Sequence, residues 1–135
     1  MYKHVLLPIA MDHNPHFDEA MAIARALVGE SGKITGLHVI EAIPTYVETH
    51  IPDEIQAENL AKAKAAVQSV LAGQPGAEAV VMHGHAAQSI LEMAEKSDAD
   101  CIVIASHKPG LQDYFIGSTA ARVVRHAQCA VHVLR

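Results

Sequence analysis

Several kinds of signal are missing from this chain, and each absence narrows the reading. No apolar run approaches the ~18 residues that span a bilayer. The opening Met1-Tyr2-Lys3-His4-Val5-Leu6-Leu7-Pro8 has no charged region followed by a long apolar stretch, so no signal peptide is evident. There are only two cysteines, Cys101 and Cys129, both inside apolar runs. That excludes a disulfide framework and a Cys-x-x-Cys redox pair, and it favours buried free thiols in a reducing compartment. Positive charge is also scarce: 10 Lys and Arg stand against 15 Asp and Glu, for a formal net charge of −5. A phosphate backbone or an anionic lipid surface asks for the opposite balance, so neither nucleic acid nor membrane is an expected partner. The expected location is cytoplasmic. Catalytic signatures are missing as well. No Gly-Lys-Ser/Thr phosphate loop and no Gly-x-Ser-x-Gly nucleophile elbow occurs. Ser106 and His107 are neighbours in sequence, which says nothing about reach between a nucleophile and a base.

What is present is one domain's worth of alternating strands and helices. A chain of 135 residues, half of them apolar, suits a single domain over residues 1–135. His4–Ile9 is a short apolar run closed by polar residues and reads as a buried strand. Phe17, Ala20, Met21, Ala24, Leu27 and Val28 form a helical stripe at spacings of three and four, with Asn14 as N-cap and Pro15 after it. Lys33–Ile40 is a second strand and 41–51 a loop. Pro52–Leu71 is a long alanine-rich helix stopped by Gly73, Pro75 and Gly76. Ala77–Met82, Asp100–Ala105 and Ala130–Leu134 read as further strands. Ala86–Lys96 and Gly117–Ala127 read as helices, with a loop over 106–116. Strands alternating with helices imply a parallel sheet whose right-handed crossovers place helices on both faces. Continuously apolar strands fit a sheet covered on both sides.

In such a sheet, ligands bind beyond the carboxyl ends of the strands where the strand order reverses. The first and fourth strands are the candidates, leading into residues 8–12 and 106–116. The second segment runs into Gly117-Ser118-Thr119 at the start of the last helix. A helix start offers unpaired N–H groups and a partial positive charge, so an anion can be held there. Capping of that helix by Ser118 or Thr119 is the plainer reading, and the two are compatible.

The residues then become specific. Ile102-Val103-Ile104-Ala105-Ser106-His107, a short loop, Gly117-Ser118-Thr119-Ala120-Ala121-Arg122-Val123-Val124-Arg125-His126-Ala127 and Val131-His132-Val133-Leu134-Arg135 resemble the C-terminal block of the universal stress protein family. Tyr2–Pro8 resembles that family's first strand, Leu37–Ile40 its second, and His83-Gly84 followed by Ile90 its third junction. The resemblance implies an open doubly wound five-stranded parallel sheet of the Rossmann-like, adenine nucleotide alpha hydrolase-like kind, with strand order 3-2-1-4-5. It also implies a stress-response regulatory domain and a homodimer in which Ala130–Leu134 pairs with its mate, with dimers that could pair further into tetramers. An unidentified protein partner is implied too.

Some members of the family bind ATP. For an adenine nucleotide, with Mg2+, the resemblance implies a site formed by Pro8, Ile9, Ala10, Val39, Ile104, Ala105, Ser106, His107, Lys108, Gly117, Ser118, Thr119 and Ala120. The chain departs from the binders' pattern, however. Ala105 and Lys108 stand where glycines are usual, eight residues rather than nine lie between Lys108 and Gly117, and Ala10 replaces an aspartate. The short loop looks closest to the F/G-like subgroup. Two readings follow: a nucleotide-binding regulator, and a dimeric interaction protein with a vestigial pocket. An enzyme is not expected; any ATP hydrolysis would be slow and incidental. His83 and His85 could form half a metal site but have no carboxylate or Cys cluster beside them, so no metal is expected.

Overall fold

The computed structural model describes residues 1–11, 16–41, 50–106 and 116–135. Among them nine elements alternate: β1 His4–Pro8, α1 Phe17–Val28, β2 Lys33–Glu41, α2 Asp53–Leu71, β3 Ala77–Gly84, α3 Ala86–Lys96, β4 Cys101–Ala105, α4 Ser118–His126 and β5 Ala130–Leu134. The strands form one five-stranded sheet in the order β3-β2-β1-β4-β5, every pairing parallel. Both the element order and the strand order follow the expectation from the sequence. α1 begins at Phe17 with His16 in the cap position and no side-chain cap bond. Asn14, expected to cap it, lies outside the described residues.

Successive strand residues point to opposite faces, and both faces are dry. Val5, Leu7, Ile34, Cys101 and Val103 pack with Ala20, Met21, Ala24 and Val28 of α1 and with Val67 and Leu71 of α2. Leu6, Leu37, Ile102 and Ile104 pack on the other face with Ala87, Ile90 and Ala94 of α3 and with Ala120 and Val123 of α4. The long helix α2 buries only Val67 and Leu71, so its length rests on alanine-rich helix propensity more than on packing.

One pairing differs from the rest. β1 runs beside β2 along its whole length, from His4–Lys33 to Pro8–Leu37. Beside β4 it pairs only at Val5–Cys101 and Leu6–Ile102. At the amino end this short ladder is extended by a carboxylate. Asp100 accepts the Lys3 amide on Oδ2 and the His4 amide on Oδ1, each at 2.9 Å, while its own amide donates to the His4 carbonyl at 3.0 Å. The buried His4 ring adds a second tie. Its Nδ1 lies 3.1 Å from the Ser97 carbonyl, which can only accept, and its Nε2 lies 2.7 Å from Thr35 Oγ1. At the carboxyl end nothing comparable among the described residues holds the two strands, and Pro8 has no N–H to offer.

Partial burial raises the Asp100 pKa, but the bonds from the Lys3 and His4 amides, with its own amide and the neighbouring His4 ring, outweigh it and leave the carboxyl below its usual 3.8. A carboxyl depressed on folding stabilises the fold above its unfolded value, and that stability is lost as pH falls through the lower folded value. Asp100→Asn keeps one acceptor oxygen of the two, and the expected loss at pH 7 is about 1 kcal/mol. In urea titrations the gap between wild type and variant should persist down to about pH 4 and narrow below it; a gap constant from pH 7 to pH 2 would contradict this account.

Candidate functional site

Beyond Pro8 the chain leads to α1 on one face and beyond Ala105 to α4 on the other, and a cleft of about 380 Å³ opens between the carboxyl ends of β1 and β4. That volume lies within the ~300–1,000 Å³ usual for small-molecule sites. Eleven of the thirteen residues singled out from the sequence line it. They are Pro8, Ile9 and Ala10 after β1, Val39 on β2, Ile104, Ala105 and Ser106 at the end of β4, and Gly117, Ser118, Thr119 and Ala120 at the start of α4. His107 and Lys108 lie outside the described residues.

The sequence reading did not assign Met11, Phe17, Ala20, Leu37, His38, Glu41, Ala86 and Ile90, which also line the cleft. His38 sits 2.9 Å from the Ile9 carbonyl through Nδ1. The carbonyl can only accept, so Nδ1 carries a proton, and the bond pins the chain after β1 to β2. The period-2 pattern along β2 held the signal for Glu41. Leu37 and Val39 pack on the α3–α4 side of the sheet, and Glu41 is the next residue in that register.

The start of α4 departs from the simplest expectation. Neither Ser118 nor Thr119 caps the helix. The cap position is Gly117, with φ −60° and ψ 152° and no side-chain cap bond. Ser118 and Thr119 instead stand in the first turn. The reason is steric, because a Cβ on Gly117 would lie 3.1 Å from the Ser106 carbonyl oxygen. The glycine lets the helix start close against the end of β4. Ser106 itself is buried; its amide donates to the Leu134 carbonyl at 2.8 Å and its hydroxyl donates to the same oxygen at 3.4 Å.

Charge is sorted among the helix starts. The first turns of α1 and α2 carry Asp18 and Glu19, and Asp53 and Glu54, whereas those of α3 and α4 carry no acid. Of the helices that begin on the cleft, α1 at Phe17 carries its two acids, whereas α3 at Ala86 and α4 at Ser118 carry none. The partial positive charge of these two ends is therefore not offset by a carboxylate in the first turn, and the amides there are open to an anion. Apolar walls from Leu37, Ile90 and Ile104 could enclose a flat ring beside them. Among the described residues, no three of His, Cys, Asp and Glu gather closely enough to hold a metal ion.

The family model described as the universal stress protein family matches residues 1–135, and the chain belongs to that family. The universal stress protein encoded in the QAH/OAS sulfhydrylase 3′ region of Thermus aquaticus is 31% identical over 139 residues, covering 100% of both chains. Universal stress protein G of Salmonella typhimurium is 28% identical over 143 residues, again covering 100% of both. Among solved structures, universal stress protein UspA from Lactobacillus plantarum matches with a TM-score of 0.75 and 24% identity over 99% of this chain and 98% of that one. The universal stress protein from Archaeoglobus fulgidus, solved in complex with dAMP, matches with a TM-score of 0.63 and 18% identity over 99% and 98%. These structures share the fold.

If Gly117 is required for the close approach to Ser106, Gly117→Ala should lower stability by about 1 kcal/mol through crowding. At an unstrained position the same change typically stabilises by about 0.4–1 kcal/mol through the unfolded chain. The sign of the shift in urea midpoint separates the two, and a gain would show that the carbonyl of Ser106 yields freely.

Proposed function

We propose that this chain is a nucleotide-binding regulatory domain that holds an adenine nucleotide, ATP with Mg2+, in the cleft between β1 and β4. The observation that carries the reading is the convergence of the carboxyl ends of β1, β2 and β4 with the acid-free start of α4 on one cleft of ligand size. In this reading the base and ribose lie against Pro8–Ala10 and Val39. The phosphates lie on Gly117, Ser118, Thr119 and Ala120, where first-turn amides and two hydroxyls can donate. His107 and Lys108 would approach the phosphates from the segment after Ser106. The structure of the Archaeoglobus fulgidus relative with dAMP supports the choice of an adenine nucleotide. Binding rather than turnover is the proposed role.

The same reading takes the protein to be cytoplasmic and a homodimer whose pairs could assemble into tetramers. No helix among the described residues is long and apolar enough to cross a membrane. Among the described residues β5 has a strand neighbour only in β4, so its outer backbone edge is free to pair with a second copy's strand. A bound nucleotide would alter the surface at the mouth of the cleft, which a protein partner could read. The alternative, an interaction protein with a vestigial pocket, draws its support from Ala10, which offers the cleft no carboxylate.

Thermal unfolding of nucleotide-free protein with and without millimolar Mg-ATP tests the reading. A ligand at ~100 times its Kd adds about 2.7 kcal/mol, a shift of roughly 10 °C in a domain of this size. Ser118→Glu places a carboxylate in the exposed first turn of α4, where it should stabilise the free protein by about 0.3–1 kcal/mol and repel phosphate. The expected result is a raised Tm without ATP and a lost response to it. No shift in the wild type at any concentration would favour the vestigial pocket.

A further inference from the structure

A nucleotide cleft gains selectivity from a group that reads the sugar, and Ala10, which lines the cleft just after β1, has no polar side chain. Among the described residues that line the cleft, Glu41 is the single carboxylate. It ends β2, where its pairing with Gly84 of β3 extends both strands to the rim, and its side chain is exposed. Leu37, Val39 and Glu41 occupy alternate positions of β2, so Glu41 shares the α3–α4 side on which the cleft walls and the start of α4 stand.

The spacing suits a ribose. β2 and β4 are separated by β1, so two interstrand steps, about 10 Å, lie between the strand that carries Glu41 and the strand that leads into α4. The 2′ and 3′ hydroxyls of a nucleoside triphosphate can face β2 across such a gap while its outer phosphates rest at the start of α4. In open α/β sheets that bind dinucleotides, an acid near the end of the second strand accepts from the ribose hydroxyl. A vicinal diol offers two O–H donors, and an ionised carboxylate offers two acceptor oxygens.

We infer that Glu41 is the sugar-reading residue of this cleft, accepting hydrogen bonds from the 2′ and 3′ hydroxyls and selecting ribonucleotides over 2′-deoxyribonucleotides. The inference rests on the adenine-nucleotide reading above and adds a specificity to it. In the absence of the 2′ hydroxyl the carboxylate keeps one donor and stands beside a C–H bond, so affinity falls without the cleft closing.

Isothermal titration with ATP and with 2′-deoxy-ATP, on wild type, Glu41→Gln and Glu41→Ala, tests it. The wild type should bind ATP about tenfold more tightly than 2′-deoxy-ATP, the usual scale for a hydrogen bond to a charged acceptor. Glu41→Ala should bring the ratio close to one by weakening ATP and leaving 2′-deoxy-ATP nearly unchanged, and Glu41→Gln should fall between. Equal binding of the two nucleotides by the wild type, or a ratio that survives Glu41→Ala, would overturn this inference alone. A wild type that binds neither would overturn the proposed function and this inference with it.

Discussion

The two-residue ladder between β1 and β4 is the constraint on which the rest of the molecule turns. A parallel sheet wound in two directions from its middle must separate the chains leaving its two central strands. Here the separation begins early. Asp100 and His4 fasten the strands at the amino end, and beyond Leu6 and Ile102 no further residues pair. Had the ladder continued in register, Pro8 would lie beside Ile104 and the cleft between them would be closed. The clamp and the cleft are thus opposite ends of one arrangement.

Packing on the two faces makes this arrangement rigid. Leu6 is directed to the α3–α4 side and Val5 and Leu7 to the α1–α2 side, all buried. The strand ends are therefore held in place from both layers. Helix electrostatics then give the cleft its chemistry. Of the three helix starts on the cleft, that of α1 carries Asp18 and Glu19, and those of α3 and α4 carry no acid. A carboxylate at either of those starts would offset the local positive charge and compete with any phosphate.

The fold was legible because its signals were local and repeated. Short runs such as Cys101–Ala105 and Ala130–Leu134, alternating with helical stripes, leave little besides a parallel sheet covered on both faces. The cleft was legible through topology, since Pro8–Ala10, Ile104–Ser106 and Gly117–Ala120 all follow from knowing which strand ends diverge. What the sequence hid depended on distance in the chain. Gly117 occupies the cap position because the Ser106 carbonyl stands 3.1 Å from where its Cβ would be, a relation that no propensity for hydroxyl caps contains. Glu41 reaches the cleft because β2 extends one residue past its expected end, paired with Gly84 of β3, and His38 reaches it through its bond to the Ile9 carbonyl, 29 residues away. The Asp100 clamp joins residues 96 and 97 apart in sequence and left no local trace.

Membership of the universal stress protein family and the shape of the sheet together direct attention to one set of atoms, the amides at the start of α4. Nuclear magnetic resonance of uniformly 15N-labelled protein during titration with Mg-ATP observes them directly. The account predicts that Ser118, Thr119 and Ala120 show the largest saturable shifts, with Val39 and Ala10 following, and that Lys3, His4 and Asp100 at the opposite end of the sheet stay still. Saturable shifts centred elsewhere, or none at all at millimolar nucleotide, would contradict it.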